Sequence, residues 1–250
     1  MFTKYIVITT INKPTQATLK YIEFKEWFTV IVGDLKTPHE EYLKLQCENV
    51  KYLHPNEQEE KYKELSDAIG WNKIQRKTIG YLHAYLNGAE IVASVDDDNI
   101  PYDYWGSNLL INNYTSVYYY ETNEPVFDPL SVTNYIHLWH RGFPLQHLGK
   151  KNEHKMTIQN VFVDVQADFW NGDPDIDAVC RMEHKPMCLF DDKYFPFTSN
   201  TLSPFNQQNT FINRKALKYF IALPYVGRMD DIWPSYYTIA NGCNVVYNKA

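Results

Sequence analysis

The sequence predicts an α/β fold in which a mostly parallel central sheet is flanked by helices. Three observations support this prediction. Apolar runs rich in β-branched residues recur along the first hundred residues, as expected of strands that are buried on both faces. A segment with helical periodicity is joined by short links to the last of these runs, which completes a βαβ unit. Two of the runs end in acidic residues, at the sheet edge where α/β proteins bind ligands.

The first half of the chain supplies the predicted sheet. Strands are expected at residues 4–10, 27–32 and 50–53, because each is a short run dominated by apolar and β-branched residues. A helix-like segment at residues 15–24 separates the first two strands. Residues 57–65 are highly charged and predict a solvent-exposed helix or loop.

The clearest predicted element is a helix that leads into an acidic strand end. Its large residues recur at spacings of three and four, on one helix face: Trp71, Ile74, Thr78, Leu82 and Tyr85. Asn87 and Gly88 predict a left-handed C-cap for this helix. Residues 91–95 predict a strand, and the acidic triplet at residues 96–98 follows at its carboxyl end.

The second half is less regular. Residues 102–211 are rich in aromatic residues, His, Pro and Asn, and predict long loops with short antiparallel strands. Asn213 is a plausible N-cap for a helix that ends at Ala222. A last helix is expected at residues 232–241, and a final strand at residues 243–247.

No linker interrupts the chain. We therefore predict one domain over residues 1–250, with a nucleotide-sugar half at residues 1–100 and an acceptor half at residues 101–250.

Composition and charge exclude several classes of function. The net charge of −6 weighs against nucleic acids and anionic membranes as partners. The 10 glycines form no G-x-G-x-x-G motif, P-loop or G-x-S-x-G elbow, so a phosphate ligand would need a metal ion rather than a glycine cradle. The 4 cysteines are too scattered for a zinc site. Neither a signal peptide nor an apolar membrane span is visible, so a cytoplasmic protein without a transmembrane segment is expected.

The acidic triplet is the strongest candidate for a metal site. Three adjacent carboxylates repel one another, and a divalent cation such as Mn²⁺ or Mg²⁺ relieves that repulsion. Because side chains alternate along an extended segment, Asp96 and Asp98 can converge while Asp97 points away. Two alternatives remain open, a solvated acidic turn and the aspartyl nucleophile of a phosphatase.

Candidate nucleotide contacts flank the triplet. Asp34 closes the second strand and could accept hydrogen bonds from a ribose or base, although turn residues of this kind are common. Lys36 and Arg76 could each meet a phosphate, or lie on an ordinary exposed surface. With Thr10, Asn12 and Asp97 they complete the predicted nucleotide-binding set.

The second half contains the candidate base and acceptor contacts. Asp231 precedes the last helix, where the helix dipole favours a carboxylate, and is a candidate general base or a simple N-cap. Asp230 competes for either role. The amide side chains of Gln208 and Asn209 lie between aromatic residues and suit a sugar, or belong to a polar loop. Arg141 lies in a segment typical of turns.

Seven short segments, which extend together over roughly residues 3–247, form an ordered series. They are VGDLKTP at 32–38, RKTIGYL to NGA at 76–89, DDDN at 96–99, RGFPL at 141–145, DPDIDA at 173–178, QNT at 208–210 and GRMDDIW at 227–233. The series resembles the STELLO family of glycosyltransferase-like proteins, except that Thr78 replaces the family's Asn. Each segment is weak alone, but seven in order are specific.

The resemblance implies a Rossmann-like GT-A domain and a nucleotide-sugar donor held through a metal on an Asp-x-Asp motif. It also implies that Asp34 and Arg76 hold the nucleotide and that Asp231 is the base of an inverting transferase. From it we predict transfer of a sugar from a nucleoside diphosphate sugar, with UDP as the expected nucleotide, to a hydroxyl of a glycan or glycoprotein. Arg141, Gln208, Asn209 and Asp230 are the predicted acceptor or sugar contacts. The alternatives are a sugar-nucleotidyltransferase and an inactive carbohydrate-binding or scaffolding module.

Overall fold

The computed structural model describes residues 2–249, which contain ten strands and seven α-helices. The strands are β1 Lys4–Thr10, β2 Phe28–Gly33, β3 Val50–Leu53, β4 Ile91–Val95, β5 Tyr114–Glu121, β6 Lys155–Phe162, β7 Val165–Asp168, β8 Phe197–Ser199, β9 Asn209–Asn213 and β10 Val245–Asn248. The helices are α1 Gln16–Tyr21, α2 His39–Leu43, α3 Pro55–Lys61, α4 Lys63–Ile69, α5 Lys77–Leu86, α6 Ala178–Glu183 and α7 Trp233–Ala240. No helix within residues 2–249 is long and apolar enough to cross a lipid bilayer.

All ten strands belong to one mixed sheet with the order β3-β2-β1-β4-β9-β7-β10-β8-β5-β6. Neighbouring strands are parallel in five pairs and antiparallel in four. The predicted α/β class, with a mostly parallel sheet flanked by helices, is therefore confirmed. Strands from both predicted halves of the chain share this sheet.

The parallel strands β3, β2, β1 and β4 form the first part of the sheet, and their carboxyl ends meet at one edge. Thr10, the last residue of β1, pairs with Gly33, the last residue of β2. The predicted bounds of β1, β3 and β4 are confirmed, and β2 is displaced by one residue. This register brings the segment after each strand to the same edge, as the sequence predicts.

Helix α5 packs directly on β1 and β2 through a glycine. A Cβ atom at Gly80 would lie 2.4 Å from Cγ1 of Val7 and 2.8 Å from Cγ2 of Val32, so only glycine allows this approach. The predicted single apolar face is wrong, because Ile74 is 56% exposed. The buried helix residues lie all round α5, since Phe220 and Ala222 cover it on the side away from the sheet.

The second half adds strands of both directions. Strand β9 runs antiparallel to both β4 and β7, so β4, β7 and β10 point the same way and end at the same edge. The antiparallel strands β5 and β6 have eight residues each and are longer than the short strands expected here.

Near the end of the chain, the structure differs from the predicted helix after Asn213 and agrees with the predicted last helix and last strand. The helix predicted from Asn213 to Ala222 is wrong, because Asn213 is the last residue of β9 and caps only a short 3₁₀ turn through its contact with the Ala216 N–H. The last helix and the last strand are confirmed as α7 and β10.

Candidate functional site

The acidic triplet divides its side chains between two sides of the sheet edge. The Oδ2 atom of Asp97 accepts hydrogen bonds from Thr10 Oγ1 at 2.5 Å and from Asn12 Nδ2 at 3.1 Å. The Oδ1 atom of Asp96 instead contacts Lys77 Nζ at 2.7 Å. The expected alternation between Asp96 and Asp97 is therefore present.

Lys77 is the residue that sequence reasoning undervalued. Its side chain is buried, and Nζ donates to the Gln207 carbonyl at 2.9 Å as well as to Asp96. Its side chain is directed inward because the first turn of α5 faces the carboxyl end of β4. A protein cation thus balances one carboxylate of the triplet.

Asp98 is the exposed member of the triplet. Partial burial and the neighbouring charges of Asp96 and Asp97 raise the pKa of its carboxyl, and no side-chain hydrogen bond contributes to that shift. Within residues 2–249, no group of three His, Cys, Asp or Glu side chains is arranged to hold a metal ion. Mg²⁺ is commonly held by one or two carboxylates together with substrate phosphates. The carboxylates of the triplet fit a metal that arrives with a diphosphate, and they do not form a protein-only cage.

A pocket of about 250 Å³, here called the Thr10 pocket, opens beside Asp97. Five of the six predicted nucleotide contacts line it: Thr10, Asn12, Asp34, Lys36 and Asp97. Asn72, Lys73 and Ile74 complete its wall on the side of α5. The structure therefore brings together residues that are distant in the sequence but follow the ends of β1, β2 and β4.

Within the Thr10 pocket, Asp34 mainly anchors backbone. Its carboxylate accepts from the N–H groups of Leu35 at 2.6 Å, Asn72 at 2.9 Å and Lys73 at 3.0 Å. These three bonds occupy most of its acceptor capacity. Asp34 shapes the pocket by holding residues 72–73, and little of its carboxylate is left for a direct nucleotide contact.

Arg76 is the one predicted nucleotide contact that the structure removes from the pocket. Its side chain is fully buried, and the guanidinium donates to Gln58 Oε1 at 3.0 and 2.7 Å, to the Gly70 carbonyl at 2.9 Å and to Ser66 Oγ at 3.0 Å. It also stacks on Trp71 at 3.4 Å from the ring centroid. The predicted phosphate contact is wrong, because every side of this guanidinium is occupied by protein. Arg76 instead anchors the loop at residues 70–73 through the Gly70 carbonyl. Asp34 anchors the same loop through the N–H groups of Asn72 and Lys73.

A second pocket of about 700 Å³, here called the Asp231 pocket, opens on the other side of the triplet. Four of the predicted residues from the second half line it together with Asp96: Arg141, Gln208, Asp230 and Asp231. Ile74 lines both pockets, so the two cavities adjoin. Asp97 faces the Thr10 pocket and Asp96 faces the Asp231 pocket.

Arg141 organises the Asp231 pocket. Its Nη1 and Nη2 atoms donate to the two oxygens of Asp231 at 2.8 and 2.5 Å, and Nε donates to Asp175 at 2.6 Å. These charge-assisted bonds raise the pKa of Arg141 against the opposing effect of its burial. The segments at 141–145, 173–178 and 227–233 therefore converge on one guanidinium. Sequence reasoning treated Asp175 only as part of a turn, and its place in an ordered series of segments was the available signal.

Asp230 lies beside Asp231 in a less charged setting. Burial and the adjacent charge of Asp231 raise the pKa of Asp230, whose Oδ2 accepts from Gln75 Nε2 at 2.5 Å. Asp231 does not act as an N-cap, because Ile232 occupies the N-cap position of α7. Its carboxylate is instead 20% exposed to the pocket.

The polar run before β9 divides between two cavities. Gln207 and Gln208 line the Asp231 pocket, and the buried atoms Gln207 Nε2 and Gln208 Oε1 have no hydrogen-bond partner among residues 2–249. Buried amide atoms are rarely left unpaired, so they mark a place for a polar ligand. Asn209 points elsewhere, since its Oδ1 accepts from Trp105 Nε1 at 3.0 Å. Gln208 lies just before β9 and Asn209 is its first residue, so the two predicted sugar contacts line different cavities, and their roles stay predictions.

Sequence comparison links this chain to two curated proteins. It is 25% identical over 233 residues to "Probable glycosyltransferase STELLO2" of Arabidopsis thaliana, which covers 85% of this chain. It is 26% identical over 235 residues to "Probable glycosyltransferase STELLO1" of the same plant, again over 85% of this chain. The chain spans about 30% of the length of each relative. No protein-family model matches it. The chain is thus a distant homologue of probable glycosyltransferases, as the seven ordered segments predicted.

Proposed function

We propose that this chain transfers a sugar from a nucleoside diphosphate sugar to a hydroxyl of a glycan or glycoprotein. The observation that carries the proposal is that two pockets with charged and amide side chains in their linings adjoin, one beside Asp97 and the other beside Asp96. One pocket contains the residues expected to bind a nucleotide, and the other contains carboxylates and unpaired amides suited to a sugar. The distant homology to probable glycosyltransferases supports the same reaction class.

The donor occupies the Thr10 pocket in this proposal, with UDP as the expected nucleotide. Asn12, Lys36 and the backbone of residues 72–73 surround the nucleoside, and Lys36 supplies positive charge at an exposed position. The diphosphate then extends past Asp97 toward Asp98. This path places the sugar at the junction with the Asp231 pocket.

Asp98 is the proposed ligand of a divalent cation, and Asp96 assists through its second oxygen. When bound, Mn²⁺ or Mg²⁺ supplies positive charge that stabilises the departing nucleoside diphosphate. Lys77 already neutralises Asp96 from inside the protein, so Asp98 carries the negative charge that is free to face a ligand.

The acceptor hydroxyl is deprotonated in the Asp231 pocket. We retain Asp231 as the proposed base, because its carboxylate faces the pocket and Arg141 fixes its orientation. The acceptor oxygen forms a bond to the anomeric carbon as the bond to the nucleotide breaks, and the proton passes to the carboxylate. Attack from the face opposite the leaving group makes the reaction inverting.

Asp230 is the alternative base. Arg141 engages both oxygens of Asp231, whereas Asp230 has no arginine partner among residues 2–249, and burial raises its pKa toward the range suited to base catalysis at neutral pH. Separate substitutions of the two residues distinguish them.

The two other functions make different products. A sugar-nucleotidyltransferase releases pyrophosphate, and an inactive carbohydrate-binding or scaffolding module releases nothing. The unpaired amides of Gln207 and Gln208 favour a pocket that receives a sugar hydroxyl.

The cytoplasmic location expected from the sequence stays a prediction.

The decisive experiment incubates the chain with a panel of nucleotide sugars, with and without Mn²⁺, and measures free nucleotide. A parallel incubation with nucleoside triphosphates and sugar 1-phosphates measures pyrophosphate. Acceptor-stimulated, Mn²⁺-dependent release of nucleoside diphosphate supports the proposal. Asp67, which is exposed on α4 and lines neither pocket, offers a matched Asp67→Asn control for substitutions of the catalytic carboxylates. Pyrophosphate release, or no release from any donor, would overturn the proposal.

A further inference from the structure

A third cavity lies on the other face of the sheet edge and belongs to neither pocket described above. It has a volume of about 160 Å³ and is here called the aromatic cleft. Its floor is built where β4, β7 and β10 end and β9 begins, with Asp168 and Asn248 as the last residues of β7 and β10. Asn209, which separates from Gln208, lines this cleft. Carboxyl ends of strands are the usual binding edge of such sheets.

Two exposed tyrosines form one wall of the aromatic cleft. The rings of Tyr102 and Tyr104 stack with centroids 5.2 Å apart and planes inclined by 14°. They are 45% and 54% exposed, although tyrosine rings normally bury much of their surface. Trp170 lies across the same cleft. Flat aromatic faces that remain exposed together indicate a surface for an apolar face of a ligand.

Amide side chains face these rings. Asn99 Nδ2 is buried and has no hydrogen-bond partner among residues 2–249. Asn209 and Asn248 line the same cleft, and Asn209 is itself bonded to Trp105 and to the Phe169 carbonyl. Asn171 Nδ2 contacts the Tyr102 hydroxyl at 3.3 Å, which ties an amide to the tyrosine wall. Amides both donate and accept hydrogen bonds and therefore suit neighbouring hydroxyl groups.

Burial favours the neutral form of the carboxyl at the floor. Burial raises the pKa of Asp168 to about 8, while its Oδ1 accepts from Gln166 Nε2 at 2.8 Å. The one basic residue of the lining, Lys249, pairs with Asp192 at 2.7 Å. The cleft therefore combines aromatic faces and amides with no free positive charge for a phosphate.

We propose that the aromatic cleft binds a neutral sugar residue, with the sugar ring against Tyr102 and Tyr104 and its hydroxyls on the amide side. A pyranose fits this chemistry because it has C–H groups on its face and hydroxyls at its edge. The cleft is a second carbohydrate site, separated from the Asp231 pocket by the sheet edge. Its assignment to the acceptor glycan rests on the proposed function, whereas binding of a neutral sugar does not.

The test measures binding of neutral oligosaccharides without any nucleotide. Glucan, xylan, mannan and N-acetylglucosamine oligosaccharides are screened on an array, and the strongest is titrated by calorimetry. Tyr104→Ala should weaken binding roughly two- to tenfold, because it removes one aromatic contact with the sugar. Tyr114→Ala removes a tyrosine that is 71% exposed on β5, outside the cleft, and should leave binding unchanged.

A second pair of variants, at Asp168, tests the floor of the cleft and leaves the tyrosine wall unchanged. Asp168→Asn keeps a neutral polar group and should retain binding, whereas Asp168→Leu should lose it with the secondary structure intact by circular dichroism. Absence of oligosaccharide binding, or equal binding by wild type, Tyr104→Ala and Asp168→Leu, overturns the inference. If the chain binds sugar but transfers none from any donor, the proposed function is refuted and the inferred sugar site is kept. If the chain transfers sugar but the cleft variants do not change oligosaccharide binding, the inferred sugar site is refuted and the proposed function is kept.

Discussion

The Nζ atom of Lys77 lies 2.7 Å from Oδ1 of Asp96, although Lys77 is only 1% exposed. The lysine reaches the acidic triplet from the first turn of α5 and also bonds to the Gln207 carbonyl. This pair connects the helix, the strand end and the segment before β9 at the boundary between the two pockets. A buried charge pair of this kind is costly to break from one side.

Removal of the lysine charge should destabilise the fold. Lys77→Met leaves Asp96 without its cation, and we expect a loss of about 3 kcal/mol in the free energy of unfolding, near the lower end of the usual range because Asp96 keeps some solvent contact. Urea unfolding measures this loss. Lys63→Met, which breaks an exposed pair with Asp67, should leave the free energy of unfolding nearly unchanged. The double variant with Asp96→Asn should recover part of the loss, and no recovery would contradict a direct charge interaction.

Removal of the Asp98 carboxylate should abolish metal-dependent donor binding. Asp98 is exposed and receives no side-chain hydrogen bond, so Asp98→Ala should leave the thermal midpoint nearly unchanged. Calorimetric titration with UDP-sugar, with and without Mn²⁺, measures the loss. Asp103→Ala removes an exposed carboxylate a few residues away and is the matched control. Undiminished donor affinity in Asp98→Ala would sink the metal assignment.

The two adjacent aspartates should differ in their effect on transfer. Asp231→Asn should spare donor binding and lower the transfer rate by roughly a hundredfold or more, as expected for loss of a general base. Single-turnover transfer, measured beside donor titration, checks both parts. A normal rate in Asp231→Asn together with the same loss in Asp230→Asn would assign the base to Asp230, whose pKa burial already raises.

Asp168 should make stability depend on pH. Because burial raises its pKa to about 8 in the folded state, the folded protein keeps a proton that the unfolded chain releases above about pH 4. This contribution to stability is therefore complete below pH 4 and is lost as the pH rises toward 8, by at most about 1.4 kcal/mol per pH unit. Urea unfolding at pH 5 and pH 7.5 should show a larger decline for wild type than for Asp168→Asn. Equal declines would contradict a protonated Asp168.

Gly80 should tolerate no side chain. The added methyl group of Gly80→Ala meets Val7 and Val32 and should cost about 1–3 kcal/mol through overpacking, despite the better helix propensity of alanine. Thermal unfolding compares it with Gly149→Ala, where the new Cβ atom meets nothing within 4 Å. A stabilising effect at Gly80 would show that α5 can move away from β1 and β2.

Much of the fold follows from local pattern. The strands β1, β3 and β4 were predicted at their observed bounds, because runs of apolar and β-branched residues specify buried parallel strands. Parallel pairing then brings Thr10, Asp34 and Asp97 together, since the carboxyl ends of these strands share an edge. The Thr10 pocket was therefore largely predictable.

The local sequence pattern did not predict the contacts of side chains whose partners lie far away in the sequence. Arg76 and Lys77 are adjacent and looked alike, yet Arg76 is enclosed by Gln58, Ser66 and Gly70, whereas Lys77 meets Asp96. The packing of α5 on the sheet sets the direction of each side chain. Asn213 likewise offered a cap, but pairing of β9 with β4 continued the strand through that residue.

The sequence by itself determined the α/β class, the parallel strands and the acidic edge, because periodicity, β-propensity and topology act over short distances or through simple sheet rules. The tertiary structure decided which charges are free and which are paired. Arg141 meets Asp231 across 90 residues, and Lys77 meets the Gln207 carbonyl across 130 residues. Such pairs depend on the packing of whole elements, so no local spacing reveals them. That packing leaves Asp98 exposed and buries Arg76.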